Sequence, residues 1–276
     1  MSQPVLLTVN GTGVPDPAGP GFSSDLGRAL GLVNPWEVVA NKLDGLMTPE
    51  SAVKWVGVPY PAATVPMMPS VEAGRAELVR QIQMLPMGTP IFLSGYSQGA
   101  ICTARAWALD CLPTNGVLHN RLNDIRGIIQ FGDPVRCPGI ANGNLVAGLP
   151  LPKNLDGCVT GGIAGPADLT PAQTPDFYLS CALDNDLYAA APVAPVGGLV
   201  WTAESRVGDV ETGIYNIIMQ PTFRDLVAIA KDFFMPIATV EGAYNALTFF
   251  AAGTQAPHWQ YQPFIAPMCD WILSRI

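Results

Sequence analysis

Only two histidines, His119 and His258, occur among the 276 residues, so any chemistry that needs an imidazole base has two candidates. Charge is also sparse: 13% of residues are charged, with a formal balance of -8 and a pI near 4.6. A chain with so little basic surface has nothing to neutralise phosphates with, which argues against a nucleic-acid partner. Long clean apolar runs are missing as well. The longest candidate, 188–203, is broken by Pro192, Pro195, Gly197 and Gly198, so no transmembrane segment is expected. No basic residue precedes Arg28, and the apolar stretch 5–9 is shorter than a signal-peptide core. The chain is therefore expected to be made in the cytoplasm without an export signal of its own. Six cysteines include no C-x-x-C pair, which removes the usual zinc and redox signatures. Cys102 and Cys111 share one predicted helix, where the rise per residue puts them roughly 13 Å apart, too far to bridge. Buried thiols are expected, although the spacing of Cys137 and Cys158 is compatible with a link across a loop.

What is present is apolar material. At 49% hydrophobic residues the chain can bury a sizeable core, and a single domain over 1–276 is expected. Its organising stretch is Pro90-Ile91-Phe92-Leu93-Ser94-Gly95-Tyr96-Ser97-Gln98-Gly99-Ala100-Ile101. An apolar strand pattern passes through Gly-x-Ser-x-Gly directly into a helical pattern, the context that a nucleophile elbow requires. Such a turn lifts Ser97 clear of the sheet at a helix N-terminus. Gly95 and Gly99 allow strand and helix to cross closely. A glycine-rich strand-to-helix turn can produce the pentapeptide by chance, but the flanking elements favour the catalytic reading.

The rest of the chain supplies alternating strands and helices. Val5-Leu6-Leu7-Thr8-Val9 reads as a buried strand ended by Asn10-Gly11-Thr12-Gly13. Helical patterns follow at 24–30 and 36–43, and a strand at 52–58. Ser70 is positioned to cap a helix to about residue 85, ahead of the elbow strand. The nucleophile helix is predicted to run to about residue 109, and a further buried strand covers 125–131. Residues 135–175 show little periodicity and read as a long surface loop, and 176–183 as the next strand. Between 188 and 257 the alternation stops. Helical faces at 223–234 and 244–253 mark a helical insertion over 189–254, and a last helix covers 264–275. The order of elements predicts an α/β fold with a mainly parallel central sheet covered by helices on both faces.

A serine needs a base to take its proton, and the base needs a carboxylate to hold its tautomer. In this topology the chain order is Ser, acid, His. His119 precedes any such acid and suits a solvated or capping role, which leaves His258. The acid should leave the C-terminal end of the 176–183 strand, where both Asp184 and Asp186 stand; the one not used has a ready role as a turn former. The oxyanion donors would be the backbone N–H of Gln98 and a donor from the loop after the first strand, for which Thr12 is the candidate. No metal and no cofactor are implied.

Gly95-Tyr96-Ser97-Gln98-Gly99, the Gly11-Thr12 turn, Cys181 with Asp186-Leu187-Tyr188, and His258 with Tyr261 together resemble the cutinase superfamily, and within it the mycobacteriophage lysin B group. The segment 61–70 and Phe131-Gly132-Asp133-Pro134-Val135-Arg136 are similar to that group too, so the likeness covers nearly the whole chain. The resemblance implies an α/β-hydrolase, cutinase-like fold with a helical linker between acid and histidine. In cutinases the acid sits in a Cys-x-x-Gly-Asp-x-x-Cys turn; here Asn185 replaces the Gly and Ala189 the second Cys, which removes the local disulfide, and the resemblance favours Asp186 over Asp184 as the acid. The implied activity is hydrolysis of the ester between mycolic acids and arabinogalactan, at the cell envelope once phage lysis begins. The implied partner is thus a lipid ester of a cell-wall polysaccharide, met by a monomer. Many lysin B chains carry an N-terminal peptidoglycan-binding domain; with a first strand at residue 5, none is expected here. Alternatives are a cutinase-like lipase or thioesterase on smaller acyl esters, and a hydrolase fold that binds lipid without turnover. The insertion leaves and re-enters between acid and base, a place suited to a wall or lid over an acyl chain; its aromatics are equally explained as core packing.

Overall fold

In the computed structural model the described residues are 2–31, 51–64, 67–154, 159–194, 206–207, 215, 219 and 255–276. The helices expected at 36–43, 223–234 and 244–253, and Cys158, lie outside them. Strand β1 (Val5–Val9) is buried along its whole length, as is β3 (Ile91–Tyr96), because helices cover both faces of the sheet. With β2 (Lys54–Gly57), β4 (Ile125–Phe131) and β6 (Tyr178–Cys181) they form a five-stranded parallel sheet in the order β2-β1-β3-β4-β6. The intervening strand β5 (Thr160–Gly161) belongs to a small second sheet, where it pairs antiparallel with β7 (Ala191–Ala194), itself paired with β8 (Arg206–Val207).

Strand alternation sorts the core into two layers. Val5, Leu7 and Val9 point to one face, where α2 (Met67–Met84) buries Val71, Leu78 and Ile82 against them and α3 (Gln98–Arg105) adds Ile101. Leu6 and Phe92 point to the other, against Leu26 and Leu30 of α1 (Phe22–Gly31) and Met268 and Ile272 of the C-terminal helix Ile265–Leu273. Each such side chain contributes about 1.5–3 kcal/mol by leaving water.

Several boundaries differ from the sequence reading. Helix α2 begins at Met67, so Ser70 lies inside it and does not cap it; the Ser70 hydroxyl instead accepts the Ala63 N–H at 3.0 Å. Pro69 is tolerated because the first turn has no intrahelical N–H to lose. Helix α3 ends at Arg105 and continues as a π turn over Ala106–Cys111. The described residues of 135–175 do not form a surface loop: Val135, Arg136, Cys137, Ala141, Ile163 and Leu169 are buried, and the segment forms the short helix Asn142–Val146 as well as β5. Its pieces are tied by side chain to backbone and so leave no periodic trace. Asn144 alone bonds the Pro150 carbonyl and both the N–H and the carbonyl of Ala182. The start of the expected helical insertion is a strand, β7. The five described cysteines, 102, 111, 137, 181 and 269, are free and buried. No helix among the described residues is long and apolar enough to cross a membrane.

Candidate active site

Register brings the working ends of the strands together. Val9 pairs with Gly95, Tyr96 with Phe131, and Phe131 with Cys181, so the segments that follow β1, β3, β4 and β6 emerge side by side at one edge of the sheet. The chain passes from β1 outward to β2 and then back to β3 on the other side of β1. This is a topological switch point, the place where open parallel sheets hold ligands.

At the end of β3, Ser97 takes φ 54° and ψ -118°, a backbone region costing on the order of 1–3 kcal/mol for a side-chain-bearing residue. It is locked there by its N–H on the Phe131 carbonyl at 3.0 Å and by its own carbonyl, which accepts Ala100 N–H at 2.9 Å. The steric requirement expected of the flanking glycines is met: a Cβ on Gly99 would stand 2.1 Å from the Val9 carbonyl oxygen, and one on Gly95 2.5 Å from Ala100 Cα. Any side chain at either position would push the helix off the sheet and carry Ser97 with it.

The two aspartates separate cleanly. Asp184 is exposed and its carboxylate accepts the Lys153 N–H at 2.7 Å, a turn-forming role. Asp186 is fully buried and accepts His258 Nδ1–H at 2.9 Å on Oδ2, with the same nitrogen 3.1 Å from Oδ1. Two more donors converge on it, the Tyr261 hydroxyl at 2.6 Å and the Tyr188 N–H at 2.9 Å. Burial alone would raise the Asp186 pKa, but the His258 charge and these three hydrogen bonds outweigh it and hold the carboxyl below its ordinary value. Asn185 between the aspartates has φ 59°, in the left-handed region that Asn tolerates better than most residues.

Ser97, Gln98, Thr12 and His258 line one cavity of about 480 Å³, while Asp186 lies behind His258 and out of it. The volume falls in the range of small-molecule sites, and Val14, Phe22, Met67, Ile101 and Ile163 make most of its wall apolar. Tyr215 and Met219, from within the expected insertion, also face it. Trp259 stands at its rim, half exposed. His119 is elsewhere: its Nδ1 meets the Cys111 carbonyl at 3.0 Å, capping the end of the π turn.

Sequence reasoning missed the side chains that hold this arrangement. Asn10 ties the loop carrying Thr12, donating to the Asp16 carbonyl at 3.1 Å and accepting the Ser24 hydroxyl at 2.8 Å. Tyr60 donates to the Asn10 carbonyl and reaches Gln98 Oε1 at 3.3 Å, while Gln98 Nε2 donates to the Ala63 carbonyl at 3.0 Å. Gly132, at φ 57°, packs so close to the His258 ring that a Cβ would lie 2.7 Å from its Cε1. Arg136 is fully buried and bonds the carbonyls of Ala189 and Ile140 and the Thr160 hydroxyl, pinning the turn that carries Asp186 to β5. Only the Gly132-to-Arg136 run left a trace in the sequence, through its resemblance to lysin B.

No protein-family profile matches the chain. It is 37% identical over 274 residues to endolysin B of Mycobacterium phage D29, covering 95% of this chain and 94% of the relative. It is 30% identical over 274 residues to endolysin B of Mycobacterium phage L5, with the same coverage. The crystal structure of lysin B from Mycobacteriophage D29 superposes with a TM-score of 0.65 and 29% identity, covering 98% of this chain and 99% of that one. On this near-full-length similarity in both sequence and fold, the chain belongs to the endolysin B family of mycobacteriophages.

Proposed function

We propose that the chain is a serine carboxylic ester hydrolase that cleaves the ester joining mycolic acids to arabinogalactan, with Ser97 as nucleophile, His258 as base and Asp186 as its orienting acid. The observation that carries this reading is a buried His258–Asp186 pair whose histidine lines the same cavity as a serine held at positive φ on a helix N-terminus. In this scheme Ser97 Oγ attacks the ester carbonyl carbon as His258 Nε2 takes its proton. Asp186 stabilises the imidazolium, and the Gln98 N–H with a donor from Thr12 faces the oxyanion. Collapse of the tetrahedral intermediate expels the sugar hydroxyl, protonated by His258, and leaves an acyl-Ser97 ester. Water, deprotonated by His258, then attacks the acyl-enzyme and frees the fatty acid. The apolar wall beside Ser97 suits an acyl chain, and family membership supports the choice of a mycolyl ester at the host cell envelope.

The test combines labelling with turnover. A fluorophosphonate probe should label wild type, and Ser97→Ala should abolish both labelling and hydrolysis of p-nitrophenyl butyrate while keeping the fold. His258→Ala should lose a comparable factor, since nucleophile and base act as one unit, whereas His119→Ala should stay near wild type. Purified mycolyl-arabinogalactan should release free mycolate, detected by mass spectrometry. Short-ester hydrolysis without mycolate release would overturn the substrate and leave the esterase. Absence of labelling would indicate a lipid-binding fold without turnover.

A further inference from the structure

Asp186 grips His258 through one ring nitrogen, and a ring held at one atom can still tilt about that contact. Tyr188, with its ring centroid 4.7 Å from the imidazole, and Gly132 crowd the ring on other sides, but the neighbour that contacts both its ring and its backbone is Tyr96, the last residue of β3 and the one joined by a peptide bond to Ser97. Its hydroxyl donates to the His258 carbonyl at 2.9 Å, and its ring stacks on the imidazole with centroids 5.3 Å apart and planes at 28°. The Tyr96 ring is itself confined. Phe22 meets it edge-on at 4.9 Å, and Gly11 lies so close that a Cβ there would be 2.9 Å from Tyr96 Cδ1.

We infer that Tyr96 is a positioning residue for hydrolysis, registering both the backbone and the ring of His258 against the nucleophile to which Tyr96 is bonded. His258 lies 162 positions downstream, yet one hydrogen bond and one stacked ring tie it to the residue beside Ser97. The separation of base and nucleophile is then set by a short, stiff path and not by the long chain between them. Asp186 selects the tautomer; Tyr96 sets the aim. Burial, with the Asp186 carboxylate and Tyr188 nearby, raises the phenol pKa well above its ordinary value, so the hydroxyl remains a donor at any working pH. The middle position of the Gly-x-Ser-x-Gly elbow accordingly has a task of its own in this chain.

This inference rests on the Ser97–His258 reading, and the experiment separates the two. Wild type is compared with Tyr96→Phe and with proteins carrying 4-fluorophenylalanine or 4-aminophenylalanine at position 96. The first two replacements lack the donor, the fluorinated ring at nearly the original size, and the amino ring restores an N–H. Measured are kcat and KM for p-nitrophenyl butyrate, the rate of fluorophosphonate labelling, and the melting curve, with kcat normalised to the labelled fraction. Both donor-free rings should lower kcat roughly 10- to 100-fold, the scale on which an ångström of misplacement costs rate. KM should stay within about twofold, because Tyr96 lines the cavity and every replacement keeps its aromatic ring there. Labelling should slow by the same factor as kcat, and 4-aminophenylalanine should recover most of both rates. Wild-type kcat in the donor-free proteins, or a loss that the amino ring does not restore, overturns the inference, as does a KM rise that accounts for the whole effect. If wild type fails to label at Ser97, the esterase reading falls and this inference with it; a labelled wild type matched by both donor-free proteins sinks this inference alone.

Discussion

Replacing Asp186 with asparagine keeps the side chain's shape and changes only which atoms can accept a hydrogen bond. Three donors meet the carboxylate: His258 Nδ1–H, the Tyr261 hydroxyl and the Tyr188 N–H. An amide offers one oxygen and one NH₂, so it must choose an orientation. Facing its NH₂ to the Tyr188 N–H would oppose two donors that cannot adapt, at a cost of about 1–3 kcal/mol for a buried unsatisfied group. The other orientation is cheaper, because the tyrosine hydroxyl can rotate to accept and the imidazole can move its proton. Asparagine therefore places its NH₂ against His258 and drives the proton to Nε2, leaving a base with no lone pair toward Ser97. The serine-protease precedent for this wrong-tautomer state is a loss of about 10⁴ in kcat, equivalent to roughly 5 kcal/mol in the barrier. The assay is p-nitrophenyl butyrate hydrolysis at neutral pH, with Asp184→Asn as the control. Among the described residues Asp184 accepts one backbone N–H at an exposed turn; surface changes of that kind alter stability by no more than about 0.5 kcal/mol, so its kcat should stay near wild type. An Asp186→Asn enzyme within tenfold of wild type, or a large loss confined to Asp184→Asn, would refute the assignment of the acid.

Thr12→Val tests the oxyanion site: a lost side-chain donor there lowers kcat by about 3–4 kcal/mol of barrier with little change in KM, whereas an unchanged kcat means that the Thr12 hydroxyl is no donor. Asp133 is fully buried, and burial pushes its carboxyl up to about 6 against the hydrogen bonds from Val135 N–H and the Tyr178 hydroxyl. Because the folded state holds this proton more tightly than the unfolded one, wild type loses stability as pH rises from the ordinary value of 3.8 through about 6. At ~1.36 kcal/mol per pH unit that window amounts to about 3 kcal/mol. Asp133→Asn removes it, so urea melts at pH 4 and pH 7 should show the variant gaining on wild type at the higher pH; a pH-independent difference would refute this.

The parts of this molecule that sequence conveys well are those specified within a few neighbouring residues. The predominantly apolar runs at β1, β3 and β4 announce largely buried strands, and the pentapeptide around Ser97 carries its own turn geometry. His258 followed by elimination because only one other imidazole exists. The acid was harder, since Asp184 and Asp186 both follow the strand and differ only in which way a left-handed Asn185 turns the chain; that conformation is local, but its consequence depends on a histidine 72 positions away. Still less legible were the residues that hold the site in place. Tyr60 finds the Asn10 carbonyl 50 positions back, Tyr96 the His258 carbonyl 162 positions on, and Tyr261 reaches Asp186 across 75. Tyr96 and Tyr261 carry the family resemblance, but the partner of each hydroxyl is hidden until the fold supplies it, because a buried tyrosine's contribution depends on what its hydroxyl meets and the ring alone does not reveal it. The same holds for residues 135–175, where Arg136 and Asn144 organise backbone carbonyls by side-chain bonds that have no period to detect. Local pattern thus located the candidate nucleophile and narrowed the candidate base, while the hydrogen bonds that hold them relative to each other are long-range. A variant at Tyr96 or Tyr261 consequently tests the fold's contribution to the site, as one at Ser97 tests the motif's.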